Sequence, residues 1–535
     1  MLQSKIIILG MLLIAGSLSI ISCVDTLDIE PTAELESNFF TDEFRVQRGI
    51  AGPYAKIADI YGAGYFNDGP FCEVWLLPGD DITFDGSGNS FESFSGLNST
   101  NGRLTGLWLR LYQIINRSNF MLEKISNPDI QSLYVTPGLL AANRGELLFL
   151  RSWAFYQLWD WYRKAPIQIE RINTIDGAIL PPSSGFEMLD NAISSLEEAA
   201  TLLPDSWDVD NEGRITKDGA YGLLVKCYIM RACYNSKNLE DYTKAINAFE
   251  KISPSKELVI PFGNNFDVRT ENNVESLFEF QAGHNYLYNH PWQDNDFGGN
   301  NGQLGTYLHM WNAHWANGYG FGGSMGPTMK LINAFEPGDP RILETFSDSA
   351  DNLGGVHWWV EPQWDKFGGY QMVKYSNGPR VAGSWGNSFD VLSVNNWRII
   401  RLADVKLCAA EAYLATGDAD EALAQVNDVR ERARKSTPDG VESPVPADLS
   451  AVTIDDIIHE RMIELAGEGI RWTDLRRWNA AGYINLGNWT SSDFGFPFSP
   501  DLFEFDPGKH LLFPIPQDEL DRNPEMATSG NNPGY

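Results

Sequence analysis

His459-Glu-Arg-Met-Ile-Glu-Leu-Ala-Gly-Glu-Gly-Ile-Arg-Trp-Thr-Asp-Leu-Arg-Arg-Trp478 is the stretch whose reading decides the fold. It begins as a helix. Thr453 is placed to cap it, and Asp455 and Asp456 fall in the first turn, where acidic side chains suit the helix dipole. Ile457, Ile458, Met462, Leu465 and Ala466 supply an apolar stripe. Gly467 and Gly469 then end it. Glu460, Glu464 and Glu468 are spaced i, i+4, i+8, so they share one helix face, where like charges cost about 0.2–0.5 kcal/mol per pair. Cations must lie against that face. Arg471, Arg476 and Arg477 follow at once, and Arg398 and Arg401 sit on another expected helix. Arginine forks hold carboxylates in bidentate pairs. A charged ligand pocket is one reading. An ion-paired clasp that locks helices together is the other, and it is the one expected.

Outward from this stretch the pattern stays helical. Arg398–Thr416 and Ala419–Arg434 form a pair around a Gly417 turn. Ala409, Ala410, Ala412 and Tyr413 face Ala422, Leu423 and Val426, small residues that let two helices approach closely, as in a tetratricopeptide unit. Asp218–Tyr234 with Leu239–Ile252 repeats that texture. Phe186–Leu203 is amphipathic and stops at Pro204. Asn143–Trp161 is apolar on more than one face and is expected to be buried. Leu104–Ile125 and Phe39–Tyr61 are further helices. Tyr65–Gly102 reads as loop, with Trp75, Phe84, Phe91 and Phe94 scattered through it. The fold class expected is mostly α: tetratricopeptide-like helical pairs in a superhelical scaffold, with long loops and a few short strands carrying a ligand site.

The 535 residues allow a large core. The net charge of -31 repels nucleic acid and anionic membrane surfaces, so neither is an expected partner. At the N-terminus, Lys5 precedes an apolar run from Ile6 to Ile21, right for a signal peptide and short for a membrane span. It ends Ile20-Ile21-Ser22-Cys23, which resembles a bacterial lipobox with Cys23 as the lipidated residue. Residues 1–22 are therefore read as a lipoprotein signal peptide and 23–38 as an acidic lipidated tether, which also resembles the surface-export signals of Bacteroidetes lipoproteins. Membrane contact is expected through the lipid anchor only. Cys227, Cys233 and Cys408 fall in apolar helical patterns and read as small core residues. With Cys72 they form no Cys-x-x-Cys pair, and a disulfide stays open.

Residues 39–258 are read as an N-terminal helical region, 259–396 as a loop-rich aromatic ligand-binding region, and 397–535 as a C-terminal helical region packing back on the scaffold. The middle region loses periodicity, with short strands expected at Leu277–Gln281 and Tyr370–Tyr375. Trp292, Trp311, Trp315, Tyr319 and Phe321 are interleaved there with Asn, Gln, His and Gly. Aromatic faces stack on the C–H face of a sugar ring, while amides and carboxylates bond its hydroxyls. The same tryptophans would equally serve as anchors of a loop-rich region, and the residues leave both readings open.

Catalytic patterns are weak. Gly318-x-Gly320-x-x-Gly323 lacks the apolar strand of a dinucleotide loop. Gly322-Gly323-Ser324-Met325-Gly326 matches a serine-hydrolase elbow without its strand, leaving a Ser324 esterase as an alternative. A carboxylate glycosidase is another, though Asp80, Asp81, Asp294 and Asp296 are undistinguished among so many acids. His309 and His314 are five apart, off the spacing that shares a helix face. Asp294-Asn295-Asp296 offers oxygens for a structural calcium ion without the full loop signature. No cofactor beyond such a calcium is expected.

Several motifs, taken in order, resemble the SusD/RagB-like outer-membrane nutrient-binding lipoproteins over most of the chain. They are the lipobox at Cys23, Arg144-Gly-Glu-Leu-Leu-Phe-Leu-Arg151 within its long helix, and Phe335-Glu-Pro-Gly-Asp339-Pro340-Arg341. Lys374-Tyr375, Arg401-Leu-Ala-Asp-Val-Lys-Leu-Cys-Ala-Ala-Glu411-Ala-Tyr, the opening stretch and His510-Leu-Leu-Phe-Pro-Ile-Pro516 complete the set. The resemblance implies a non-catalytic protein that caps a SusC-like TonB-dependent outer-membrane transporter. Such proteins capture oligosaccharides or polysaccharides, or in some members peptides, at the cell surface. The family's glycan platforms occupy loops that here hold Trp75, Phe91 and Phe94, then Trp292, Trp311, Trp315 and Tyr319.

Overall fold

The computed structural model describes residues 36–61, 72–84, 89–267, 269–282, 325–348, 370–372, 374–375, 396–496 and 500–535. The expected signal peptide, Cys23 and most of the tether lie outside them.

The longer helices run α1 Glu43–Tyr61, α2 Gly102–Ser126, α3 Leu139–Tyr162, α4 Glu187–Leu202, α5 Lys217–Tyr234 and α6 Leu239–Phe249. After the middle region come α7 Leu402–Thr416, α8 Ala419–Arg434, α9 Ile454–Glu464 and α10 Arg471–Ala481. From α1 to α8 each helix packs against the next in chain order, and α6 bridges to α7 across the whole middle region. This is the expected mostly helical, tetratricopeptide-like scaffold.

Local signals set the ends. Asn101 accepts the N–H groups of Arg103 and Leu104 at the start of α2. Thr453 and Asp456 form a reciprocal capping box on α9. Gly417 closes α7 at φ +94°, a left-handed conformation that glycine takes without a Cβ penalty. α3 is buried on nearly every face, as its uninterrupted apolar sequence requires. In α7, Ala403, Ala409, Ala410 and Ala412 are fully buried, which lets α8 and α6 come close.

Among the described residues, three two-stranded antiparallel ladders stitch the middle region to the helices. β1 Ile82–Phe84 pairs with β3 Met325–Pro327, β2 Ser276–Phe280 with β6 Trp397–Arg401, and β4 Phe346–Asp348 with β5 Tyr370–Met372. β6 corrects the expectation that Arg398 and Arg401 lie on a helix. Trp397-Arg398-Ile399-Ile400 is aromatic and β-branched, and it pairs with Phe278–Phe280 before α7 begins at Leu402. Within Tyr65–Gly102, read as loop, the described residues also form the short helix Cys72–Leu76.

The three glutamates of the opening stretch are buried in an ion-paired clasp. Glu464 accepts from Arg401 (2.6 Å), Arg341 (3.0 Å) and Arg432. Glu460 accepts from Arg341 and from Arg430 (2.8 Å). Glu468 lies just past the helix and accepts from Arg401 (2.7 Å) and Lys374 (2.9 Å). Glu275 and Asp339 complete the set against Arg401, Arg432 and Arg341. Five buried carboxylates thus face five buried cations, with half-exposed Glu336 at the rim on Arg430. The partners differ from those nearest in sequence. Arg471 binds Asp80, Arg476 binds Asp160, and Arg477 binds Glu411 and Asp474. These arginines still fasten α10 to the scaffold, but through other acids.

Candidate functional site

The described residues place an aromatic-walled cavity among α1, α3, α5, β6 and the turn after α9. Tyr61 comes from the end of α1, Trp75 from Cys72–Leu76, Trp153 and Trp161 from α3, and Trp397 from β6. The rings form a continuous wall. Trp75 stacks on Trp161 with centroids 6.1 Å apart and planes 7° off parallel. Tyr61 stacks on Phe280 (5.9 Å) and Trp397 (6.1 Å), and Trp397 stacks on Tyr375 (4.3 Å). Gln157, Lys226, Glu468 and Thr473 bring polar atoms to the lining. The cavity volume is about 60 Å³, room for roughly four water-sized groups.

Two features tighten the wall. Gly469 takes φ +76°, and a Cβ there would lie 2.3 Å from Cδ1 of Trp75, so only glycine lets the turn after α9 reach the indole. The Trp75 indole N–H is buried and finds no acceptor among the described residues. Buried indole N–H groups usually have one.

Lys226 pairs with Asp404, which also accepts from Arg461 (2.7 Å). Burial would raise the Asp404 carboxyl, but the charges of Lys226 and Arg461 outweigh it and hold the group below the usual carboxylate range. These ions are mutually satisfied and belong to the frame.

The sequence-derived site residues separate. Trp75 lines the cavity at 6% exposure. Phe91 and Phe94 are corrected: each is 1% exposed. Phe94 sits among Phe505 (4.9 Å), Trp472 (5.6 Å) and Phe494 (5.7 Å), and Phe91 packs edge-on to Phe513 (5.9 Å). Both are core residues, with no ring face open to a ligand. Trp292, Trp311, Trp315 and Tyr319 lie outside the described residues, as do His309, His314, Asp294, Asp296 and Ser324. A serine-hydrolase elbow has its strand before the serine, whereas β3 begins just after Ser324. Asp80 is paired with Arg471 and Lys330 (2.6 Å). Asp81 accepts the Gly467 N–H (2.9 Å), and burial pushes it up to about 6. Among the described residues no group of His, Cys, Asp or Glu has the arrangement of a metal site. Cys72, Cys227, Cys233 and Cys408 are buried free thiols, and burial raises them all.

The family model described as "SusD family" matches residues 262–535, and one described as "Starch-binding associating with outer membrane" matches residues 29–229. The chain belongs to the SusD family. Among its relatives is SusD-like protein P2 of Formosa agariphila, 26% identical over 97% of this chain and 98% of that one. A SusD-like protein of Bacteroides ovatus is 24% identical over 89% and 83%. Solved structures share the fold. A SusD homolog from Bacteroides thetaiotaomicron has TM-score 0.73 at 21% identity, covering 94% of this chain and 99% of that one. A laminarin-binding SusD-like protein has TM-score 0.70 at 23% identity, covering 92% and 100%. No helix among the described residues is long and apolar enough to cross a membrane.

For this SusD-family chain, the reading of single segments missed the cavity wall. Tyr61, Trp153 and Trp161 sit in helices whose apolar periodicity already explains them, and only the tertiary fold brings them to Trp75 and Trp397. The one available signal was the excess of tryptophan in apolar helices.

β1 adds a titration. Thr83 donates its hydroxyl to buried Glu92, and the Phe84 N–H donates to the same carboxylate (3.3 Å). Burial pushes Glu92 up from 4.5 to about 8. A raised folded-state pKa contributes stability that is full below the unfolded value and is lost as pH rises through the folded one. Stability should therefore fall between pH 4.5 and 8, at up to about 1.4 kcal/mol per pH unit from this group. Glu92→Gln keeps an acceptor and removes the titration. Tm measured across that interval should be flatter in this variant, and an unchanged slope would exclude Glu92 as the cause.

Proposed function

We propose that the chain is a surface-exposed lipoprotein that captures oligosaccharides by aromatic stacking. It delivers them to a SusC-like TonB-dependent outer-membrane transporter, and it catalyses no reaction itself. The observation that carries the reading is the aromatic wall: Trp75, Trp161 and Tyr61 meet Trp397 of β6, which pairs with β2, the strand that residues 283–324 follow in the chain. Those residues hold Trp292, Trp311, Trp315 and Tyr319. The starch-binding description of the N-terminal family model supports a glycan ligand, as do structural neighbours titled as a laminarin-binding protein and as surface glycan-binding protein A from Bacteroides uniformis. The acidic surface tolerates neutral glycans and disfavours polyanions.

Intrinsic tryptophan fluorescence and calorimetry against defined oligosaccharides test this. Binding is expected with at least one glycan, and Trp311→Ala or Trp315→Ala should weaken it about tenfold through lost stacking. Binding of peptides with no response to any glycan would overturn the glycan reading. Turnover of an ester or glycan, abolished by Ser324→Ala or by one acid variant, would replace it with a hydrolase.

A further inference from the structure

We infer that the Lys226–Asp404 ion pair sets the charge specificity of the aromatic-walled cavity: it makes the site take an uncharged oligosaccharide and refuse one that carries carboxylates. This rests on the function proposed above and names the ligand class within it. Of the described residues that line the cavity, two carry charge, Lys226 and Glu468. Each has its counter-ion behind the wall. Lys226, on α5, is bound to Asp404, on α7, which is fully buried, stands outside the lining and also accepts from Arg461 at 2.7 Å. Glu468 is bound to Arg401 at 2.7 Å and to Lys374 at 2.9 Å, two buried cations that likewise stand outside the lining. Other polar groups of the wall, among them Gln157, Tyr61 and Tyr156, are neutral.

The network behind Lys226 is balanced as well. Lys226, Arg461 and Arg477 face Asp404, Asp474 and Glu411. A carboxylate entering the cavity would give up its hydration and meet, in Lys226, a cation whose charge is already matched. A desolvated ion without a counter-ion of its own is costly. A hydroxyl group gives up less. It can also accept from Lys226, because an ammonium has three donors and the hydrogen bond that Lys226 makes among the described residues goes to Asp404. Lys226 therefore offers donors to the cavity while its charge is spent on Asp404.

The test is calorimetry on the full chain with two matched probes, laminarihexaose and the same hexasaccharide oxidised at its C6 hydroxyls to carboxylates. Salt at about 0.5 M screens the acidic surface, so that the cavity decides the difference. The wild type should bind the neutral probe at least about tenfold more tightly. Asp404→Asn frees the charge of Lys226, and the ratio of affinities should move toward the acidic probe by about tenfold. Adding Lys226→Met to that variant should cancel the shift. The double variant Asp404→Asn, Arg461→Gln removes one charge of each sign and keeps the network balanced; it should give the same shift, and it serves where the single variant does not fold. A ratio that stays put when Lys226 is freed, or a wild type that takes both probes equally, would overturn the inference. A wild type that binds neither probe removes the proposed function for this glycan. Gain of the acidic probe by the variants then still supports the role of the pair, and no gain refutes it.

Discussion

Glu464→Gln should lower the stability of the folded chain by about 3–5 kcal/mol, the loss typical of breaking a buried ion pair from one side. The side chain is fully enclosed and accepts from Arg401, Arg432 and Arg341, cations drawn from β6, α8 and the segment after Ala334. Glutamine fills the same space but carries no charge, so the balance of five carboxylates to five cations becomes an uncompensated positive charge in a dry interior. Burial would raise the Glu464 carboxyl, yet Arg432, Arg401 and Arg341 outweigh it and hold the group below the ordinary carboxylate range. A depressed pKa contributes stability above the unfolded value that is lost as pH falls through the folded one. The gap between wild type and variant should therefore be full near neutral pH and narrow under strong acid. Urea unfolding gives the measurement: the midpoint shifts at unchanged slope. A shift worth under about 1 kcal/mol, the range of a surface pair, would remove the clasp as a source of stability.

Gly469→Ala should cost roughly 2–5 kcal/mol, joining a backbone penalty of about 1–2 to an overpacking penalty of about 1–3. The turn holds φ +76°, and the new methyl would overlap Trp75, itself fixed between Trp161 and Tyr61. Neither side can yield without opening the aromatic wall, so near-ultraviolet dichroism should change with Tm. Gly417→Ala is the control. It has φ +94° with nothing within 4 Å of the new Cβ, so it reports the backbone penalty alone. Equal losses in the two variants would mean that the contact with Trp75 is not restrictive.

The parts of the fold legible in the sequence are those written in local chemistry. α8 begins at Ala419 and ends at Arg434, as its pattern predicts, because Gly417 and the Asp418 cap mark its start. The cap at Thr453 and the burial of α3 were legible for the same reason. β6 was not. Arg398–Arg401 runs into α7 with no breaker between them, and its strand character comes from pairing with β2, more than a hundred residues upstream. The clasp was legible in kind but not in membership. Three glutamates on one face announce that cations must come, and Arg401 was among those named, but nothing local says that Arg341 and Arg432 join it. Near the cavity, Trp75 lines the wall, whereas Phe91 and Phe94 carry no local mark of their burial, because their stretch has no periodicity to separate inside from outside. The lipobox at Cys23 and the tryptophans of residues 283–324 were read from the sequence alone.

The neutrality of the clasp has a consequence beyond stability. Its cations are cancelled where they stand, as are Arg461, Arg476 and Arg477 among their own acids. They cannot dilute the field outside, so the excess of 31 negative charges is carried by the rest of the chain. Copies of the chain would then repel one another over about 8 Å at physiological ionic strength. Crowding would be limited by mutual electrostatic avoidance, and added salt would let the copies stand closer together.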